Sequence, residues 1–387
     1  MKIVYILNST DIYGGATKSF TSLLYTLLEK DNIDPLVIIP DANGIKDEFD
    51  KKGIKTVVLN YRPNIYPYNA TFKDYLLWVP RLIYWRYLNV IAVKKLSKHI
   101  KGYDLVHTNV SVIDIGQRSA KKQKIPHIYH FREYADLDFG MHYYPCRRLF
   151  HNTVTYSICI THGVQQYNNL QDLDTSRVIY DPVNINEKQN IANTFGSYFL
   201  YAGRIEETKG IEDLLYAYSE ASVKSDLLVA GRFLDTSYEN RIYGLTKKLG
   251  LEDKVHYLGN REDILALMSN AKALVVSSHF EGYGRPMAEA MAQKCLVIGR
   301  NTAGTKEQFD NGKKYTGDDI GFRFSSTSEL AEIMQKVENM SEEKLNDIRE
   351  RAYKTIKHYY SNDISAEQVL NFYQSILKTN ENPLLFK

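Results

Sequence analysis

Residues 198–210 read Tyr198-Phe199-Leu200-Tyr201-Ala202-Gly203-Arg204-Ile205-Glu206-Glu207-Thr208-Lys209-Gly210, and that order of residue types decides the fold. Tyr198–Ala202 is an aromatic and aliphatic run of strand length, Gly203 ends it, and Gly210 leads into a helix-type stretch. The N-terminus repeats the pattern. Lys2–Asn8 is strand-like, Ser9–Ala16 is polar and glycine-bearing, and Thr17–Lys30 sets Phe20, Leu23, Leu24, Leu27 and Leu28 at helical spacing. Further strands are expected at Pro35–Ile39, Thr56–Leu59, Leu105–Thr108, His127–Phe131 and Ser157–Thr161 in the first half of the chain. In the second half they are expected at Asp226–Ala230, Val255–Leu258, Ala273–Ser277 and Leu296–Gly299. Strands that alternate with helix-length segments imply parallel sheets wrapped by helices.

A chain of 387 residues is longer than one hydrophobic core usually serves. The boundary is the turn signal Asp181-Pro182-Val183-Asn184, followed by the polar, linker-like segment Ile185–Gly196. The expected organisation is a first domain at 1–182, a second at 183–362, and a C-terminal segment at 363–387. Within that last segment Asp363–Leu377 reads as an amphipathic helix crossing back onto the first domain. The fold class is α/β, with two doubly wound, Rossmann-like parallel-sheet domains expected to face a central cleft. Ligands of such sheets bind at the carboxyl ends of the strands.

Bulk properties exclude several classes. With 49 basic and 46 acidic residues the formal charge is +3, too near balance for a general polyanion binder, so no nucleic-acid partner is expected. Hydrophobic residues at 44% and charged residues at 25% are ordinary for a globular protein. Cys146, Cys159 and Cys295 lack any C-x-x-C spacing, which argues against a zinc site or a disulfide framework and for a reducing cytoplasm. MKIVYILNST does not read as a signal peptide. The longest apolar-rich stretch, Tyr75–Val93, is interrupted by Pro80, Arg81, Arg86 and Asn89, so no membrane crossing is expected.

The strongest local signal is Ser277-Ser278-His279-Phe280-Glu281-Gly282-Tyr283-Gly284-Arg285-Pro286-Met287-Ala288-Glu289, which follows a strand and runs into a helix. Pro286 suits a first helical turn, and Gly282 and Gly284 let backbone amides approach an anion. Glu281 just before the helix and Glu289 in its first turn suit sugar hydroxyls, although acidic residues favour helix starts in any case. In the 203–210 loop Arg204 can fork onto phosphate oxygens and Lys209 adds a compact charge; either alone is more often a solvated surface cation. A third loop of the same kind, Asn301-Thr302-Ala303-Gly304-Thr305-Lys306-Glu307, follows a later strand.

Together these residues resemble the retaining glycosyltransferases of family 4, of GT-B fold. The resemblance runs over nearly the whole chain: Gly14-Gly15-Ala16, the GR-x4-KG of Gly203–Gly210, Val255–Gly259, the E-x7-E of Glu281–Glu289 and Ala303–Glu307. It implies that Arg204 and Lys209 clamp the donor diphosphate and that Glu289 holds the ribose hydroxyls. It implies that Glu281 and the amides of Gly282, Tyr283, Gly284 and Arg285 touch the transferred sugar, with Gly203 bounding the clamp loop and Gly15 reaching phosphate or sugar. His130, in Tyr129-His130-Phe131-Arg132, matches a histidine that the family places near the sugar. His107 competes for that role, and a hydrogen-bonded structural histidine is the commoner fate of either.

The implied reaction moves a hexose or N-acetylhexosamine, with retention, from a nucleotide-diphosphate sugar. A uridine donor is preferred to a guanosine one. Charge released on the β-phosphate falls to Arg204, Lys209 and amides, so no cofactor and no metal is expected. Asp136-Leu137-Asp138 and Asp172-Leu173-Asp174 imitate a manganese motif, but such triplets arise readily among 46 acidic residues. Asn60–Lys101 is rich in Tyr, Trp, Arg and Lys, which suggests a glycan or lipid-linked acceptor and peripheral contact at the inner face of the plasma membrane. The alternative is that those rings pack a helix pair. Rival readings are a sugar-nucleotide epimerase, a phosphorylase, for which the chain is short, and a catalytically silent partner that binds nucleotide-sugar or glycan.

Overall fold

The structure is a computed structural model that describes residues 1–67, 72–134, 136–139, 141–143, 154–185 and 195–381. Cys146 and most of the linker, 186–194, lie outside the described residues. The chain divides into two compact units: Met1–Pro182 with Asn362–Lys387, and Val183–Ser361.

In the first unit the strands are β1 (Lys2–Ile6), β2 (Asp34–Ile39), β3 (Lys55–Val58), β4 (Ile65–Pro67), β5 (Leu105–Thr108), β6 (His127–Phe131), β7 (Met141–Tyr143), β8 (Tyr156–Cys159) and β9 (Ser176–Val178). Seven of them form a parallel sheet in the order β3-β2-β1-β5-β6-β8-β9. Ile3, Val4, Tyr5 and Ile6 are all buried, as expected of a strand covered on both faces. The strand order reverses at β1 and β5, which places the loops that follow these two strands side by side at the carboxyl edge.

The helix Gly15–Lys30 lays Phe20, Leu23, Leu24 and Leu27 on that sheet. The terminal helix Asn362–Glu381 joins the same core through Ala366, Val369, Phe372, Tyr373 and Ile376, a 3–4 residue spacing that makes one apolar face. The short β9 and the antiparallel pair β4–β7 were not foreseen from sequence, because three residues show no periodicity.

The second unit holds β10 (Tyr198–Ala202), β11 (Asp226–Ala230), β12 (Val255–Gly259), β13 (Ala273–Val276), β14 (Val297–Arg300) and β15 (Phe322–Phe324). All pairings are parallel, in the order β12-β11-β10-β13-β14-β15. The reversal falls between β10 and β13. One face of the sheet packs Leu227, Val275 and Ile298 against Leu214, Leu215 and Leu330 of the helices that cover it.

Candidate functional site

Because β10 pairs with β13 and β13 with β14, the loops after these three strands become neighbours in the second unit. The 203–210 loop starts with Gly203 N–H donating to Ala230 O at 3.0 Å, and Tyr201 Oη–H holds Arg204 O at 2.6 Å. It closes in a 3-10 turn, Glu207–Lys209, capped by Gly210 at φ 64°. A side chain at Gly210 would stand 2.3 Å from Ser277 O, so the two loops touch through a position that only glycine fills. Ser277 Oγ–H donates to Lys209 O at 2.9 Å, and His279 N–H to Thr208 O at 3.0 Å. Gly304 N–H then donates to Glu281 O at 2.9 Å, and Gln308 Nε2–H reaches Tyr283 O, which attaches the 301–308 loop to the 281–284 stretch.

On this scaffold each predicted cation meets a carboxylate. Lys209 Nζ donates to Glu281 Oε1 at 2.7 Å, and Ser278 Oγ–H donates to the same oxygen at 2.7 Å. Arg204 lies 3.1 Å from Glu206 and its side chain stays 42% exposed. Arg285 Nε donates to Glu289 Oε1 at 2.8 Å, one helical turn on. The helix is Arg285–Ala292 with Gly284 as its N-cap at φ 84° and no acidic residue in its first turn. That corrects the placement of Glu289 in the first turn: it is the fifth helical residue, because the chain enters the helix at Arg285 through the left-handed Gly284. Tyr283 is buried, with its ring 6.0 Å from that of Tyr360.

Sequence reasoning missed Arg300 and Asp213. Arg300 Nε donates to Ser277 O at 3.0 Å, its guanidinium pairs with Asp213, and His279 sits 3.1 Å from that same carboxylate. Nothing in their spacing marks them.

The first unit brings a different set together. Gly14 caps the Gly15–Lys30 helix, and a Cβ added at Gly15 would meet nothing within 4 Å, so packing does not require glycine there. Asn109, just after β5, donates from Nδ2 to Ala16 O at 3.2 Å. Arg132 donates from Nε to Asn109 O at 3.0 Å and pairs with buried Asp181, which also accepts from Ser19 Oγ at 2.7 Å. Glu133 accepts from Ser111 Oγ at 2.6 Å, and burial pushes its carboxyl above the usual range.

His130 and His107 are both buried at strand ends and lie in contact, Nδ1 to Nε2 at 3.2 Å. Burial, then the charge of Arg132, lowers His107 to about 3 and holds His130 well below its ordinary value, so both rings are neutral. Tyr373 of the terminal helix lies 2.5 Å from His107 Nδ1. The competition between the two histidines resolves into a pair. Asn109, Arg132, Asp181 and Tyr373 had no motif to announce them.

Asp136 of the first acidic triplet accepts from Tyr167 Oη, and Asp172 of the second accepts from Gln171 at 3.1 Å. Among the described residues no three His, Cys, Asp or Glu side chains cluster as a metal site. Cys159 and Cys295 are buried, and burial pushes both thiols up to about 12.

Residues 183–355 match the family of glycosyl transferases group 1. The N-acetyl-alpha-D-glucosaminyl L-malate synthase of Bacillus anthracis is 23% identical over 186 residues, 47% of this chain and 46% of the relative. The capsular polysaccharide biosynthesis glycosyltransferase CapM of Staphylococcus aureus is 26% identical over 187 residues, 47% of each. The chain thus spans about half the length of the curated relatives it matches. Across the whole chain the fold is similar to Anabaena Alr3699/HepE crystallised with UDP, with a TM-score of 0.78, 20% identity, and coverage of 97% of this chain and 100% of that one. The same Anabaena protein has also been crystallised with UDP-glucose. Two tandem parallel-sheet units give this chain the GT-B fold, and within its second unit residues 183–355 are similar to the group 1 glycosyl transferases.

Proposed function

We propose that the chain is a retaining, metal-independent glycosyltransferase of family 4. It moves a hexose or N-acetylhexosamine from a UDP-sugar to a glycan or lipid-linked acceptor in bacterial surface polysaccharide synthesis. The observation that supports this most is the joining of three carboxyl-edge loops around Lys209 and Glu281. A diphosphate entering there competes with carboxylates already seated on Lys209 and Arg204, and trading one anion for another leaves neither cation desolvated alone. Those cations and the amides of the 282–285 stretch then face the charge that appears on the leaving phosphate. Glu281, released from Lys209, is free to take a sugar hydroxyl. The UDP preference draws on the nucleotides bound by the Anabaena structures.

The lipid-linked acceptor and a peripheral membrane contact draw on the helix Phe72–His99. Its C-terminal half packs Ala92, Val93 and Leu96 into the core, while Leu76, Leu77, Ile83, Tyr84 and Tyr87 stay more than half exposed beside Arg81. Trp78 and Trp85 meet edge to face with Arg81 over both rings, which is one answer to what those rings pack against: each other. Among the described residues no helix is long and apolar enough to cross a membrane. Flotation with anionic liposomes at low salt tests the contact, and protein left in the dense fraction refutes it.

The deciding assay incubates the chain with UDP-sugars and GDP-sugars in buffer containing EDTA and measures nucleoside diphosphate release. UDP release is expected. Silence with every sugar nucleotide would favour an inert binding partner, and an inverted anomeric centre in the product would refute retention.

A further inference from the structure

The histidine network around His130 has a direction, because one of the groups in it can only donate. A guanidinium donates and never accepts. Arg132 Nη2 lies 3.3 Å from His130 Nδ1, so that nitrogen must offer a lone pair. His107 Nε2 faces the same Nδ1 at 3.2 Å and must therefore carry the proton between them. The two rings lie with centroids 5.3 Å apart and planes inclined by 18°. In a neutral ring protonated at Nε2, Nδ1 accepts. Tyr373 Oη–H, 2.5 Å from His107 Nδ1, is then its donor. The chain of donors runs from Tyr373 to His107 to His130.

His130 is left with its one proton on Nε2. That nitrogen is buried and has no hydrogen-bond partner among the described residues. The Asp181 carboxylate is 4.0 Å away, beyond hydrogen-bond reach, and is engaged by Arg132 and Ser19. A buried N–H without an acceptor is unfavourable unless a ligand supplies one.

We infer that Tyr373 and His107 are positioning residues that fix His130 in its Nε2–H form, so that His130 gives a hydrogen bond to a substrate oxygen and cannot take a proton from the acceptor hydroxyl. The oxygen it faces must present a lone pair, which a sugar hydroxyl or carbonyl oxygen does. The terminal helix Asn362–Glu381 thereby reaches the chemistry through the core of its own unit. This rests on the transferase reading only for the identity of the substrate; the tautomer stands independently of it.

The experiment is a long-range 1H–15N spectrum of the imidazoles in the full 15N-labelled chain, with His130 assigned by the signals lost in His130→Gln. His130 Nδ1 is expected at an unprotonated shift and Nε2 at a protonated one; the opposite pattern overturns the inference. In Tyr373→Phe the His107 and His130 signals should move toward averaged tautomers and turnover should drop about three- to tenfold, the worth of one hydrogen bond, with KM for the nucleotide sugar little changed. Unmoved His130 shifts in that variant would remove the role of Tyr373. His107→Gln, which keeps an N–H donor, should retain more turnover than His107→Leu at equal thermal stability; equal losses would remove the role of His107. If no sugar nucleotide turns over while the tautomer is found, the transferase reading fails and the proton assignment stays.

Discussion

The two units solve the same topological problem with opposite chemistry. At the carboxyl edge of the first sheet the polar groups are buried: neutral His107 and His130, the Arg132–Asp181 pair and Glu133. At the same edge of the second sheet the ion pairs Lys209–Glu281, Arg285–Glu289 and Arg204–Glu206 stand in partial contact with solvent. Groups of the first kind hold fixed donors and acceptors and cannot rearrange without loss. Groups of the second kind keep a side toward solvent and can exchange partners with an incoming anion.

That difference is broken most severely at Asp181. Asp181→Ala leaves the Arg132 charge buried and unpaired, and should destabilise the first unit by about 3–5 kcal/mol. Urea unfolding read by amide exchange in β6 and β13 checks it, and equal loss in both strands would show that the pair is not local to its unit. Lys209→Ala and Arg204→Ala should each cut turnover by roughly 10- to 1000-fold, as removal of one preorganised donor does. The unfolding midpoint of Arg204→Ala should stay close to the parent, since an exposed ion pair is worth about 0–1 kcal/mol, while Lys209→Ala, which breaks a more enclosed pair, should lower it. Parental rates in both variants would remove the proposed clamp.

Acid sharpens the comparison. His107 and His127 titrate near 3 in the folded state, driven down by burial, and His130 is also lowered. Their full stabilisation is present above the unfolded value of about 6.5 and is lost as pH falls toward 3, because the unfolded chain binds the protons first. Each such histidine should make the first unit less stable by up to about 1.4 kcal/mol per pH unit below 6, with Glu133, raised by burial, acting in the opposite sense. In the second unit His256 is half-buried and His279 exposed, and they lie beside Asp226 and Asp213. Protection in β6 should therefore collapse at higher pH than in β13, and simultaneous loss would contradict the burial account.

The smallest expected effect is at glycine. Gly15→Ala has room and should leave stability unchanged within about 0.5 kcal/mol, while lowering activity if ligand approaches there. Gly304→Ala would bring a methyl to 2.7 Å from Gly282 O and the Tyr283 backbone and should destabilise the second unit. A stability loss in Gly15→Ala would assign that glycine to packing.

Strands such as Leu105–Thr108, His127–Phe131, Tyr198–Ala202 and Asp226–Ala230 were legible to the residue, because a strand covered on both faces is built mainly from aliphatic, β-branched and aromatic residues. The glycine loops were legible because left-handed turns and close approaches admit few residue types: Gly210 and Gly284 both have positive φ. The sequence by itself therefore determined the two sheets and the loops at their edges, since local periodicity and backbone sterics are written in neighbouring residues. It did not reveal that Lys209 would rest on Glu281, that Asn109 would join Arg132 to the Gly14–Ala16 loop, or that Tyr373 would meet His107 266 positions away. Those partners are chosen by strand order and by where the terminal helix docks, and a hydrogen bond between distant residues leaves no pattern along the chain.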